Sequence, residues 1–284
     1  MTNFDDESWD IIVTSERKWY GLKLKEVMKY RDLIVLFVKR NFTSQYKQTV
    51  LGPLWFIISP LLSSFISTII FGNIAGIQSD GVPYFLFYLC GYTLWNYFSS
   101  CVNSTSSTFV GNAGIMGKVY FPRLTMPIST VIYSAINMLI IFGMSIITMI
   151  FYVCLGYEIH PTMAVLVIPL LMLQTAFLGL GVGIIVSSLT TKYRDLAILV
   201  GFGLNLWMYL TPVVYPISEV GGLLKTLILI NPMSAIVQNY KYALLGVGSF
   251  EEAYWLLSMG ITLIIFLTGV LLFNKVERTF MDTV

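Results

Sequence analysis

Few side chains in this sequence have the types and spacing that chemistry requires, and most of those fail on inspection. The stretch GNAGIMGKV, Gly111–Val119, approaches a phosphate-binding loop. Such a loop reads G-x-x-x-x-G-K-[ST]: its backbone N–H groups cradle phosphate and its hydroxyl holds magnesium. Here five residues separate Gly111 from Gly117, and Val119 stands where the hydroxyl belongs. The single histidine, His160, sits beside Pro161 with no second ligand at metal-binding spacing. Asp80 and Glu158 fall in separate loops, so no carboxylate pair offers a general acid and a general base. The chain is therefore expected to be no enzyme and to carry no cofactor or metal of its own.

A second set of residues is aromatic. Tyr84, Tyr88, Tyr92 and Trp95 recur at i, i+4, i+8 and i+11. At helical spacing they share an arc of about 80°, and Ser99, Asn103 and Ser106 extend the stripe. Three readings compete: an interfacial aromatic belt, hydroxyls gluing neighbouring helices, and the wall of a polar-aromatic conduit. Belts sit at the two ends of a span, whereas this stripe runs through the middle. Tyr and Trp combine a flat apolar body with a hydrogen-bonding tip, which suits a sugar surface. Trp55, Phe56, Trp207 and Tyr209 are further candidates for the same wall, each equally readable as packing.

Composition decides what must position these residues. The chain has 284 residues, 56% hydrophobic and 11% charged, where a soluble domain carries about 25% charged residues. A soluble surface cannot be covered at that composition, so the sequence predicts a polytopic membrane protein. Its net charge of +2 gives no argument for nucleic-acid binding. The three cysteines, Cys90, Cys101 and Cys154, lie in apolar stretches and read as buried thiols. The acidic start MTNFDDESWD does not read as a signal peptide.

A membrane helix needs about 20 mostly apolar residues. Candidates run over 53–73, 83–106, 128–155, 162–189 and 254–273, with a shorter one over 196–213 that ends at Thr211-Pro212. With both termini in the cytoplasm, 15 of the 17 Lys and Arg fall on the cytoplasmic side and only Lys225 and Lys241 outside, as the positive-inside rule requires. Asn231-Pro232 interrupts the apolar stretch 221–246, because proline removes a helical hydrogen bond. The two halves are too short to cross and predict re-entrant helices, a seventh span being the alternative. Gly21–Phe42 predicts a basic amphipathic helix whose apolar face holds Leu24, Val27, Met28, Ile34, Val35 and Val38. The expected fold is all-α and membrane-integral: six transmembrane helices, an N-terminal amphipathic interface helix, and two short re-entrant outer helices. It divides into a cytoplasmic tail over 1–50 and a six-span domain over 51–284, with an outer gate segment at 214–253.

Several stretches together carry a resemblance: YRDLIVLFVKRNFTSQYKQTVLGPLW before the first span, KVYFPRLTMPIS after the second, KYRDL before the fifth, and TPVVYP with NPMSAIVQNYKYALLG in the outer segment. In that order, over about residues 30–275, the chain resembles the membrane subunits of ABC exporters for polysaccharides, the O-antigen and teichoic-acid export permeases. The resemblance implies a homodimer in the bacterial inner membrane, bound to two copies of an ATPase that carries the ATP and magnesium. It implies a lipid-linked polysaccharide as cargo. It further implies a coupling helix around Gly114–Arg123 that docks on the ATPase, with Tyr46, Lys47, Lys118, Phe121, Pro122 and Arg123 at the contact and Phe121 as its apolar anchor. Pro212, Pro216, Asn231 and Pro232 would shape an outer gate. It assigns no role to the first 30 residues, where Trp9 and Trp19 would meet the ATPase or the membrane surface. Two other readings stay open on the residues alone: a related exporter of drugs or lipids, and a membrane enzyme acting on lipid-linked sugars.

Overall fold

The computed structural model describes residues 24–47, 50–116, 118–119, 121–190 and 195–283. Trp9, Trp19 and the cations Lys192 and Arg194 lie outside the described residues. Among the described residues the regular structure is all helical. Two helices, α1 (Leu24–Lys29) and α2 (Arg31–Tyr46), precede α3 (Trp55–Ser67), which Pro60 interrupts and a π-helical turn over Thr68–Ile74 extends. Then come α4 (Tyr84–Ser106), α5 (Thr108–Met116), α6 (Thr125–Cys154), α7 (Ile168–Thr190), α8 (Leu196–Tyr209), α9 (Gly222–Ile230), α10 (Pro232–Leu245) and α11 (Glu252–Thr283).

Four of these segments are long and apolar enough to cross a membrane: Gly52–Ile74, Thr125–Cys154, Met163–Thr190 and Glu252–Lys275. The other two expected spans depart from that standard for opposite reasons. α8 is apolar but has 14 residues. α4 has 23 residues but is rich in Tyr, Ser and Asn. Its position explains that composition. α4 is the central helix, packed on α3, α6, α7, α8 and α10, and most of its side chains are buried. A helix that meets protein on nearly every side is not under the compositional constraint that lipid imposes.

Glycines set the closest helix contacts. A Cβ on Gly179 would lie 2.7 Å from the Cβ of Cys101, and one on Gly183 would lie 2.6 Å from the Cβ of Thr105, so this i, i+4 pair seats α7 on α4. Polar side chains then tie the bundle. Trp255 Nε1 donates to Gln174 (2.9 Å), Gln174 Nε2 to Ser258 (2.7 Å), and Ser258 Oγ to the Pro232 carbonyl (2.8 Å).

Two expectations change. The buried face of α1 and α2 holds Val27, Ile34 and Phe37, whereas Met28 and Val35 are exposed. Tyr30 separates the two helices, and the face in contact is the one that meets α6 and Phe121. Cys90 and Cys101 are buried but Cys154 is exposed, because it ends α6 on an apolar outer surface.

Candidate functional site

Helical spacing builds one pocket. Trp55, Ser59 and Ser63 stand at i, i+4 and i+8 along α3, and Asn96, Ser99, Ser100 and Asn103 follow one side of α4. These two stripes, with Asn137 and Ile141 of α6, Gln45 of α2, and Phe56 and Pro60, line an open-sided pocket of about 360 Å³. Pro60 has no N–H, so the Phe56 carbonyl lacks its usual helical donor. Ser100 Oγ and Ser134 Oγ bond at 2.9 Å, and Tyr133 donates to Gln45 at 3.0 Å. The Oδ1 of Asn137 is buried without a partner. Among the described residues, no Lys, Arg, Asp or Glu lines the pocket. Such a surface can exchange hydrogen bonds with a neutral, hydroxyl-bearing ligand, each amide and hydroxyl both donating and accepting.

The aromatic stripe divides. Trp55 is 45% exposed and Phe56 is buried, both on the pocket wall. Tyr88 is 0% exposed, Trp95 4% and Tyr92 9%, so these three lie inside the fold and do not face an open path within this chain. Tyr88 meets Phe71 and Phe87 at 6.3 and 5.7 Å between ring centres. Tyr92 bonds Ser67 at 2.9 Å. Trp95 packs on Phe98, which in turn meets Trp207 edge-on at 5.1 Å. Half-buried Tyr84 covers Gly72, where a Cβ would come 2.9 Å from its ring. Tyr209 is exposed at the end of α8.

At the α2 end of the bundle, Phe121 also turns inward. It is buried and its ring lies 5.8 Å from that of Phe37. It therefore fastens the loop after α5 to α2 and does not project as an anchor. Arg40 Nη2 adds a 3.0 Å bond to Asn112 of α5. Lys47 and Lys118 are exposed, Pro122 and Arg123 half-buried. The side chain of Tyr46 lies outside the described residues.

The outer segment is organised by Asn231. As N-cap of α10, its Oδ1 accepts from Met233 N (3.1 Å) and from Trp207 Nε1 (3.0 Å). Its Nδ2 donates to the Leu210 carbonyl (3.1 Å) and to Thr211 Oγ1 (3.0 Å). One amide thus joins the end of α8 to the break between α9 and α10, and Pro232 at N1 fits the first helical turn. Pro212 and Pro216 are buried. Lys241, which the sequence reading counts as a cation on the outer side, is buried in α10. Its Nζ donates to the Pro212 and Val213 carbonyls at 2.8 and 2.9 Å and lies 3.5 Å from the Phe87 ring centre. The cation caps backbone groups that the turn after α8 leaves open.

Asn231→Ala is expected to lower thermal stability by about 1–3 kcal/mol, the cost of unmet part-buried partners and a lost cap. Asn231→Asp keeps both acceptor roles and loses both donors, so it should fall between Asn and Ala. Thermal unfolding in detergent measures the series, and an Ala variant as stable as the parent would remove the hub assignment.

Comparison with known proteins agrees with this architecture. Over 265 residues, 92% of this chain, it is 30% identical to the O-antigen export system permease protein RfbA of Klebsiella pneumoniae, covering 99% of that protein. A second protein of that name from the same organism is 28% identical over the same span. One of that name from Myxococcus xanthus is 26% identical over 220 residues, 77% of this chain and 82% of the relative. Residues 32–245 match the family described as ABC-2 type transporter, and the helical bundle with its membrane-length apolar segments therefore belongs to that family, as a transport subunit embedded in the membrane.

Proposed function

We propose that the chain forms the path of an exporter carrying a lipid-linked polysaccharide of O-antigen type outward, driven by ATP hydrolysis on a separate subunit. The observation that carries this reading is the polar, open-sided pocket between α3, α4 and α6, whose described lining residues are uncharged, in an otherwise apolar chain. An ion or proton path would need ionisable side chains at that depth. The printed names of the relatives support the substrate class.

The assembly is a homodimer with two ATPase copies in the bacterial inner membrane, with membrane lipids around it and no nucleic acid. Each copy spans six times, α4 and α8 supplying the two spans that composition or length alone would not select. Both termini are cytoplasmic, as the distribution of 15 among 17 cations favours. α9 and α10 are re-entrant and form the outer gate with Pro212, Pro216, Asn231 and Pro232. Trp55 and Tyr209, exposed on one chain, face the path. The ATPase docks around Lys47, Lys118, Pro122 and Arg123, and Phe121 passes the displacement to α2.

Deleting the gene tests this reading. The glycan should accumulate on its lipid carrier at the cytoplasmic face, and unchanged surface glycan would overturn the proposal. The purified chain without its companion should hydrolyse no ATP. Lys118→Glu should leave protein level unchanged, since the side chain is exposed, yet weaken ATPase capture by about tenfold through like-charge contact. Undiminished capture in a pull-down would move the docking site elsewhere.

A further inference from the structure

The lining of the pocket carries more than a conduit. A space of about 360 Å³ is at the small end of ligand pockets, which run from about 300 to 1,000 Å³. It suits one sugar ring with a few waters and is too small for a folded length of polymer. Ser59, Ser63, Asn96, Asn103 and Asn137 ring it with neutral donors and acceptors. Trp55 adds a flat face at the edge, partly open. Asn137 contributes a further neutral amide to the lining.

We propose that this pocket holds one uncharged, hydroxyl-rich sugar unit at a time and rejects polymers whose repeating unit bears phosphate or carboxylate. The inference rests on the export reading above and narrows its substrate class. A repeating anion entering the bundle would leave water with no cation to meet it, since the described lining residues supply none. Serine and asparagine offer it donors, but their oxygens are acceptors that an anion cannot use. A charge at membrane depth without a partner is expensive, whereas a sugar hydroxyl exchanges water for amide and hydroxyl partners at little net change. The site therefore discriminates by what it withholds, which is a counter-charge.

The test uses the complete transporter, this chain with its ATPase, in cells supplied with one of two lipid-linked polymers: a neutral mannose homopolymer or poly(glycerol phosphate). Surface polymer is quantified on intact cells against total polymer. The unaltered transporter should export the neutral chain at least about tenfold better. Asn96→Asp, nearly the same shape with a negative charge, should cut neutral export, while Ser59→Lys at the exposed edge should raise phosphate-polymer export. Protein level is measured for each variant, so that loss of folding is not read as loss of transport. Equal export of the two polymers by the unaltered transporter would overturn neutral selectivity and leave the export reading standing. Export of neither polymer, with normal ATPase assembly, would defeat the export reading and this inference together.

Discussion

Gly181→Leu is expected to leave little folded protein in the membrane. At this point α7 and α11 meet backbone to backbone. A Cβ on Gly181 would lie 2.8 Å from the Phe266 Cα and 2.9 Å from its N, and a Cβ on Gly269 would lie 2.8 Å from the Gly181 carbonyl oxygen. No rotamer change relieves a clash with backbone, so the helices must part. Parting them strains the bonds from Gln174 to Ser258 and from Trp255 to Gln174 that link the same two helices. Overpacking by side-chain bulk costs about 1–3 kcal/mol, and separation of a backbone seat exceeds that range. Against a native stability of about 5–15 kcal/mol, the variant should lose most of its monodisperse peak in size-exclusion chromatography. Gly260→Leu, on the same helix α11 with nothing within 4 Å of its Cβ, should behave as the parent. If the two variants elute and melt alike, the close seat is not what holds α7 to α11.

Local chemistry made part of this fold readable. The second candidate span, 83–106, corresponds to α4 at Tyr84–Ser106. The break at Asn231-Pro232 separates helices of 9 and 14 residues. Both follow from period and from proline, which act within a few residues of where they are read. The glycines at 179–183 are readable only as a hint of close contact, since sequence does not say which helix comes close. The buried face of α2 was only partly readable: Ile34 is on it as the periodicity implies, but its partner arrives from a loop more than 80 positions away, and Phe121 packs on Phe37 while Val35 stays outside. The burial of Lys241 was unreadable for the same reason. Its acceptors, Pro212 and Val213, are 29 and 28 positions back along the chain, and a cation in an apolar run reads as solvent-seeking until those carbonyls are seen.

The site was half readable. Ser99 and Asn103 extend the aromatic stripe in sequence, and they do line the pocket. Ser59, Ser63 and Asn137 carried no signal singly, since an isolated serine in a span reads as helix glue. The signal lies in the phase: Trp55, Ser59 and Ser63 share one side of α3, facing the polar side of α4. Tyr88 and Tyr92 share the spacing of their neighbours but not their surroundings. Phe71 and Ser67, at the end of the first span, close over them. Periodicity names a face, and only the neighbouring helix decides whether the face is a wall or a seam.

That distinction yields the second large effect. Ser63→Trp is expected to stop export while the protein stays folded. Ser63 is exposed on this chain, so the indole displaces no packed group, yet it enters the pocket of about 360 Å³ that is proposed above as the path of each sugar unit. A polymer slides by repeated weak contacts, and a rigid aromatic obstructing the groove blocks every step alike. Surface glycan should fall below about a tenth of normal, equivalent to a barrier increase near 1.4 kcal/mol or more. Tyr88→Ala makes the opposite expectation. That ring is fully buried, and truncating a packed aromatic costs about 3–5 kcal/mol, so protein should be lost and export with it in proportion. One immunoblot and one surface-glycan assay separate the two. Full-length protein at normal level with glycan held inside is the result expected for Ser63→Trp. Normal surface glycan in that variant would mean that the polymer passes elsewhere and that the pocket is only a gap between helices.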